Sequence, residues 1–218
     1  MTLPLHRKLK KRLHKAIALA QDMMVMEVYD IFPTAVVHGG TAIWRCYGSN
    51  RFSEDVDVYL PKRLKMADFE KFVEALKEKD FSVEKLKKTE NAIFSKFSFS
   101  DSIVRFEAIF KDVKDYVSRR YEMIDGNFML VNTLTSENIV EEKILTYVER
   151  RKARDLYDIF FLSNLVKRNE IKSELLKAIE NFEKPVDEKE LKTLIIYGSI
   201  PTADTLLNEV KAWASRSI

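Results

Sequence analysis

The stretch Val36–Leu60, VVHGGTAIWRCYGSNRFSEDVDVYL, holds two adjacent glycines, Gly39 and Gly40, of the five in the chain, and then two aspartates, Asp55 and Asp57, alternating with valines. Its β-branched start reads as a strand. TAIWRCYG has apolar residues at helical spacing and stops at Gly48, and DVDVYL reads as a second strand. Alternate side chains of a strand share a face, so Asp55 and Asp57 point one way while Val56 and Val58 point into a core. Two carboxylates so close repel unless positive charge compensates. Mg²⁺ or Mn²⁺ suits oxygen ligands and bridges protein carboxylates to phosphates. The glycine pair supplies the complement: strand, two glycines and helix leave backbone N–H groups facing an approaching anion, with the Thr41 hydroxyl beside them. Either motif alone is weak, since most Gly-Gly pairs are turns and most Asp-x-Asp pairs are solvated. Their order, strand, Gly-Gly, helix, loop, Asp-h-Asp-h (h, apolar), is far more specific.

Outward from this stretch, Leu5 to Ile31 reads as one long helix with Leu9, Leu13, Ile17, Ala20, Met24 and Val28 on its apolar stripe, ended by Pro33. Downstream come an amphipathic helix, MADFEKFVEALKEK, and three strand-like runs, FSVEKL, AIFSKFSFS and SIVRFEAIF. A hairpin follows around Asp125-Gly126. In SIVRFEAIF, Val104, Phe106 and Ala108 take one face and Arg105, Glu107 and Ile109 the other. That makes Glu107 the candidate third carboxylate on a neighbouring strand. From Thr135 the period turns helical and stays so, through TSENIVEEKILTYVERR, ARDLYDIFFLSNLVK, EIKSELLKAIENF, DEKELKTLII and TADTLLNEVKAWA. The expected organisation is an α/β domain over residues 1–134 and a helical domain over 135–218.

The 218 residues suffice for a sizeable core, and 46% apolar with 33% charged content is ordinary for a soluble protein. No apolar run approaches the ~18–20 residues of a membrane span, which points to a cytoplasmic protein without a membrane partner. The single cysteine, Cys46, excludes an internal disulfide and a cysteine metal cluster and reads as core filler. Net charge is only +3, but basic residues cluster twice: Arg7, Lys8, Lys10, Lys11, Arg12 and Lys15, then Arg150, Arg151, Lys152 and Arg154. Together the two clusters suggest a phosphate-rich partner.

These residues resemble the nucleotidyltransferase superfamily, with its glycine pair, Asp-h-Asp and later third carboxylate. The closer resemblance is to the AbiEii-type nucleotidyltransferases, toxins of type IV toxin–antitoxin systems. GGTAIWRCYGSNRFSEDVDVYL is similar to that family's first motif, including Arg51, Phe52 and Ser53. EEKILTYVERRKARDLYDIFFL is similar to its later helical motif, with Lys143, Arg154, Asp155 and Asp158. The likeness implies a mixed nucleotidyltransferase-type sheet with flanking helices followed by a C-terminal helical bundle. It also implies metal-dependent transfer of a nucleoside monophosphate from an NTP to an acceptor, RNA and in particular the 3′ end of tRNA, and a cognate antitoxin as partner.

On this reading Asp55, Asp57 and Glu107 bind metal, and Gly39, Gly40, Thr41, Arg51, Ser53, Lys143 and Arg154 hold the nucleotide. Lys143, an exposed lysine in a cleft, and Asp158 act at the reaction centre, and Arg154 pairs with Asp158 four residues on. His38 and the last ~50 residues are given no role. The rivals are a catalytically silent RNA- or antitoxin-binding module and a nucleotidyltransferase acting on protein or a small molecule, because a fold alone does not name an acceptor.

Overall fold

The computed structural model describes residues 3–216. In chain order it holds α1 (Leu5–Lys8), α2 (Arg12–Ile31), β1 (Val36–His38), α3 (Gly39–Arg45), β2 (Asp55–Leu60), α4 (Met66–Lys77), β3 (Ser82–Lys88), β4 (Ala92–Phe99), β5 (Ser102–Phe110), β6 (Tyr116–Glu122) and β7 (Phe128–Leu134). There follow α5 (Ser136–Arg150), α6 (Ala153–Ser163), α7 (Ser173–Glu180), α8 (Leu191–Leu194) and α9 (Ala203–Ser215). Two units are compact in themselves: the chain up to Gly48 with Phe52–Thr133, and Ser49–Arg51 with Leu134 onward.

The first unit is a seven-stranded mixed sheet in the order β3-β4-β5-β2-β1-β7-β6. β2 runs antiparallel to β1 and parallel to β5, and β1 runs parallel to β7. Val56, Val58, Ile93, Phe97, Val104, Phe106 and Ala108 are wholly buried on one face. α2 packs against α4, β4 and β5 on that side. Phe72 of α4 sets its ring 4.9 Å from Phe106 and 6.3 Å from Phe97, and Phe69 lies 5.6 Å from Phe72. Such offset aromatic packing supplies large buried apolar area with fixed geometry.

The long first helix of the sequence reading is two helices. Residues 9–11 break it, and α1 is a single turn whose His6 backbone N–H donates to Ile124 O at 2.9 Å. Leu13, expected on the apolar stripe, is exposed, because the buried stripe of α2 runs instead through His14, Ile17, Ala18 and Gln21. α2 is pinned to α3 by a buried ion pair, Arg45 Nη2 to Asp22 Oδ1 at 2.7 Å. Arg45 also donates to the carbonyls of Ala18 and Glu122, and Asp22 accepts the Ile124 N–H. Burial pushes the Asp22 carboxyl up, against the opposing pull of Arg45. Cys46, expected as core filler, is half-buried at the end of α3, and burial pushes its thiol up to about 12.

In the second unit α5 packs on α6 and α7, and α9 on α6 and α7. Thr135 and Thr202 cap α5 and α9, accepting from the N–H groups of Asn138 and Thr205. DEKELKTLII, expected as a helix, forms only a 3₁₀ turn at Glu188–Glu190 and the one-turn α8. The chain then extends, and Ile195 and Ile196 pair with Arg51 and Asn50. No helix among the described residues is long and apolar enough to cross a membrane.

Arg45→Met leaves Asp22 buried without its counter-ion. We expect a loss of roughly 3–5 kcal/mol in urea unfolding, with much of it recovered when Asp22→Asn is added.

Candidate active site

The parallel pairing of β2 with β5 aligns Asp55 with Arg105 and Asp57 with Glu107. β1 aligns His38 with Asp57 on the other side. Asp57, Glu107 and His38 therefore lie abreast across three strands, on the face opposite the buried valines. Asp55 and Asp57 are half-buried, as is Glu107.

Several contacts fix this arrangement. Gly39 opens α3 with φ +67, and a Cβ placed on it would collide with Asp57 Oδ2 and lie 3.0 Å from Asp57 Cγ. Glycine is thus required there twice, for its backbone and for the approach of the carboxylate. The Thr41 hydroxyl donates to the Asp55 carbonyl, and Thr41 is fully buried, so this hydroxyl ties α3 to β2 and does not face an anion. Gln21, the only glutamine in the chain, donates from α2 to the carbonyls of Ser53 at 2.9 Å and Asp55 at 3.1 Å. Ser53 is buried at this junction. His38 stacks flat on Tyr59, centroids 3.8 Å apart and planes 1° from parallel, and Lys111 Nζ lies 4.4 Å from the Tyr59 ring centre.

Arg105 Nε meets Asp55 Oδ1 at 2.5 Å. Burial works against the Arg105 charge, but the bond to Asp55 outweighs it and holds the guanidinium above its ordinary value. The donor set suits a hard divalent cation: carboxylate oxygens on adjacent strands, one seated against a glycine backbone. Among the described residues, however, no three His, Cys, Asp or Glu side chains are gathered into a metal-binding group.

The second unit holds a different cluster. Arg51 is buried and grips Asp158 with two bonds, Nε to Oδ1 at 2.7 Å and Nη2 to Oδ2 at 2.8 Å. Lys143 Nζ lies 2.9 Å from Asp158 Oδ2 and 3.2 Å from Asp155 Oδ1. Arg150 closes on Asp155 with bonds of 2.7 and 2.8 Å. Asp155 and Asp158 have no solvent exposure. Burial alone would raise the Asp155 carboxyl, but Arg150 and Lys143 outweigh it and hold it below the ordinary range.

The profile described as nucleotidyl transferase AbiEii toxin, type IV TA system, matches residues 26–212, which include both clusters. The chain belongs to the AbiEii nucleotidyltransferase toxins. As such it is a nucleotidyltransferase of the type IV toxin–antitoxin class. The crystal structure of JHP933 from Helicobacter pylori shares its fold with a TM-score of 0.60 at 19% identity, over 90% of each chain. The nucleotidyltransferase toxin MenT4 from Mycobacterium tuberculosis H37Rv does so with a TM-score of 0.62 at 16% identity, over 94% of this chain and 85% of that one. A search of curated sequences finds no match.

For this AbiEii chain the structure corrects three expectations. Lys143 is not exposed; it is buried between two carboxylates. Asp158 spends its oxygens on Arg51 and Lys143, both reached from outside its own helix, while Arg154, expected as its partner, is half-exposed on α6. The second basic cluster is largely consumed within its unit. Arg150 holds Asp155, Arg151 holds Glu183 and the Lys184 carbonyl, and Lys152 meets Asp187 at 3.1 Å. A further set of cations was not expected from the sequence. Lys85, Lys87 and Lys96 stand on the same sheet face as Arg105, in a groove of about 340 Å³ that Glu107 also lines. In the sequence their one sign is spacing: Lys85 and Lys87 stand two apart, as do Phe94 and Lys96.

Gly39→Ala should lower stability by about 1–2 kcal/mol from the left-handed backbone alone and displace the Asp57 carboxylate, so transfer activity falls further than stability does. Lys143→Ala should cost about 3 kcal/mol in urea unfolding, since Asp155 and Asp158 each lose a buried partner. Because the Asp155 carboxyl is held low, its share of stability is present above an unfolded-state value of about 4 and is lost as pH falls through the lower folded value. Asp155→Asn should therefore flatten the acid limb of stability against pH.

Proposed function

We propose that this toxin moves a nucleoside monophosphate from an NTP onto the 3′ hydroxyl of an RNA, with tRNA as the natural acceptor, on the open face of β2 and β5. The observation that carries this reading is the row Asp57–Glu107 beside Asp55, set against the Gly39 turn. Carboxylates set abreast on neighbouring strands repel one another. They gain from a cationic and phosphate-bearing ligand.

The acceptor oxygen attacks the α-phosphorus of the NTP. The bond from that phosphorus to the bridging oxygen of the β-phosphate breaks, and pyrophosphate leaves with the electron pair. The acceptor proton passes to a base, for which Glu107 is the candidate because it neighbours Asp57 across the strand pair. Bound at Asp55, Asp57 and Glu107, Mg²⁺ or Mn²⁺ would neutralise phosphate charge and lower the pKa of the acceptor hydroxyl. For Asp55 to serve there, Arg105 must yield; that pair is half-exposed on the arginine side, and exposed ion pairs are worth about 0–1 kcal/mol. Gly39 and Gly40 offer backbone approach to the phosphates without side chains in the way. Thr41 and Ser53 act by holding β2 in place. Arg51, Lys143 and Asp158 act as the frame of the second unit. Cytoplasmic action and a cognate antitoxin protein complete the reading.

Incubation with each labelled NTP, Mg²⁺ and total RNA, followed by sizing of the product, tests it. Label should enter small RNA; label in protein or in a small molecule would replace the acceptor. Asp57→Asn should cut the rate by at least about 10²-fold while the protein still melts as a folded chain. Undiminished rate in this variant, or in excess chelator, would overturn the scheme.

A further inference from the structure

Strand register draws two rows across the open face. One runs Lys85–Lys96–Arg105–Asp55, from β3 through β4 and β5 to β2. The other runs Lys87–Phe94–Glu107–Asp57 over the same four strands. Each row starts in cations at the sheet edge and ends in a carboxylate at the centre. Like charges directly opposite on neighbouring strands are destabilising, and Lys85 faces Lys96, which faces Arg105. Arg105 has Asp55; Lys85, Lys87 and Lys96 have no acidic partner among the described residues.

Lysine on an edge strand is a common guard against strand-to-strand aggregation. That accounts for Lys85 and Lys87 on β3, which is the edge. It does not account for Lys96 on β4 or Arg105 on β5, which are interior strands. Nor does it account for Phe94, a large apolar ring on an interior strand that is 40% exposed between Lys87 and Glu107. An exposed aromatic ring flanked by unpaired lysines on a sheet face is the arrangement that stacks a base and tracks a phosphate backbone.

We infer that this groove seats the 3′-terminal nucleotides of a single-stranded RNA acceptor: Phe94 stacks a base, Lys85, Lys87 and Lys96 hold the backbone, and the strand's end points at Asp57 and Glu107. Adjacent strands lie ~4.8 Å apart, so Phe94 stands about 10 Å from Asp57, a span that one or two nucleotides cover. The groove, about 340 Å³, has room for one base and its sugar. The inference rests on the RNA-acceptor reading above and adds where, and in which direction, the strand lies.

The test uses the full chain and a short fluorescent single-stranded RNA, followed by anisotropy across a salt series, with NTP binding measured separately by calorimetry. Lys85→Ala with Lys96→Ala should weaken RNA binding at low salt by roughly tenfold or more and flatten the dependence of log K on log salt by about 1.4, at roughly 0.7 for each phosphate charge no longer neutralised. Phe94→Ala should weaken binding by about tenfold with the salt slope unchanged, and Phe94→Trp should restore it. The Phe94 variants should keep their melting temperature, the double lysine variant should keep or raise it because Lys85 and Lys96 repel each other, and all three should bind NTP as the wild type does. Wild-type RNA affinity and salt slope in the variants would overturn the inference. So would a parallel loss of NTP affinity, which would give the groove to the donor nucleotide. If wild-type protein labels no RNA yet the variants still lose RNA binding, the transfer reading fails and the groove stands. If wild type labels RNA and the variants bind it equally well, only the groove fails.

Discussion

The parallel pairing of β2 with β5 is the constraint on which the proposed active face depends. It sets Val56 against Phe106 and Val58 against Ala108 on the buried side, and Asp55 against Arg105 and Asp57 against Glu107 on the open side. Strand periodicity is two, so a slip of one residue would drive both aspartates under α2 and α4 and bring two valines into water. The same pairing therefore enforces core and site together. The apolar rows, all wholly buried, make the correct register the stable one, and the carboxylates are carried into place by that burial although they repel.

Holding such a face in place takes polar bonds behind it. Gln21 and Thr41 reach the backbone just before and at the start of β2 from α2 and α3, and Arg45 with Asp22 locks those two helices to each other. Only Gly39 lets α3 begin directly against Asp57. None of these four side chains needs to touch a substrate. A constellation that must hold charge in a fixed place is built on rigid elements with its supports bonded to backbone, and their loss propagates to the carboxylates.

Most strands and helices of residues 36–162 were legible because their periods are clean; the first part of β6, residues 116–120, was not, since YVSRR carries no apolar alternation. DVDVYL and SIVRFEAIF alternate, the glycine pair punctuates, and Thr135 caps. That Glu107 is the partner of Asp57 required pairing, which no local pattern contains, although its face was readable. The break at residues 9–11 was hidden because Leu9 and Leu13 keep a helical spacing even though only Leu9 is buried. The short extended pairing of Asn50 and Arg51 with Ile195 and Ile196 overrides the helical look of KTLII, a tertiary contact outweighing a weak local preference. The lysines of β3 and β4 looked like ordinary surface charge until register set them abreast.

Lys143 takes its surroundings from the residues that pair with it. Its ammonium stands between Asp155 and Asp158, whose other partners are Arg150 and Arg51, so the cluster alternates in sign from one end to the other. An ammonium so enclosed has most of its field cancelled nearby, and moving it toward a phosphate would strand two buried carboxylates. The arginines at the ends bind with planar two-bond forks, which fix the carboxylates in orientation as well as position. The lysine at the centre, a compact charge with rotatable donors, can serve both at once. The order Arg51, Asp158, Lys143, Asp155, Arg150 thus explains the residue types by their bonds: forks where one carboxylate is to be gripped, a point charge where two are to be shared. It also explains why Arg51, far from α6 in sequence, belongs to the second unit: its partner is there, and a buried guanidinium stays where its carboxylate is.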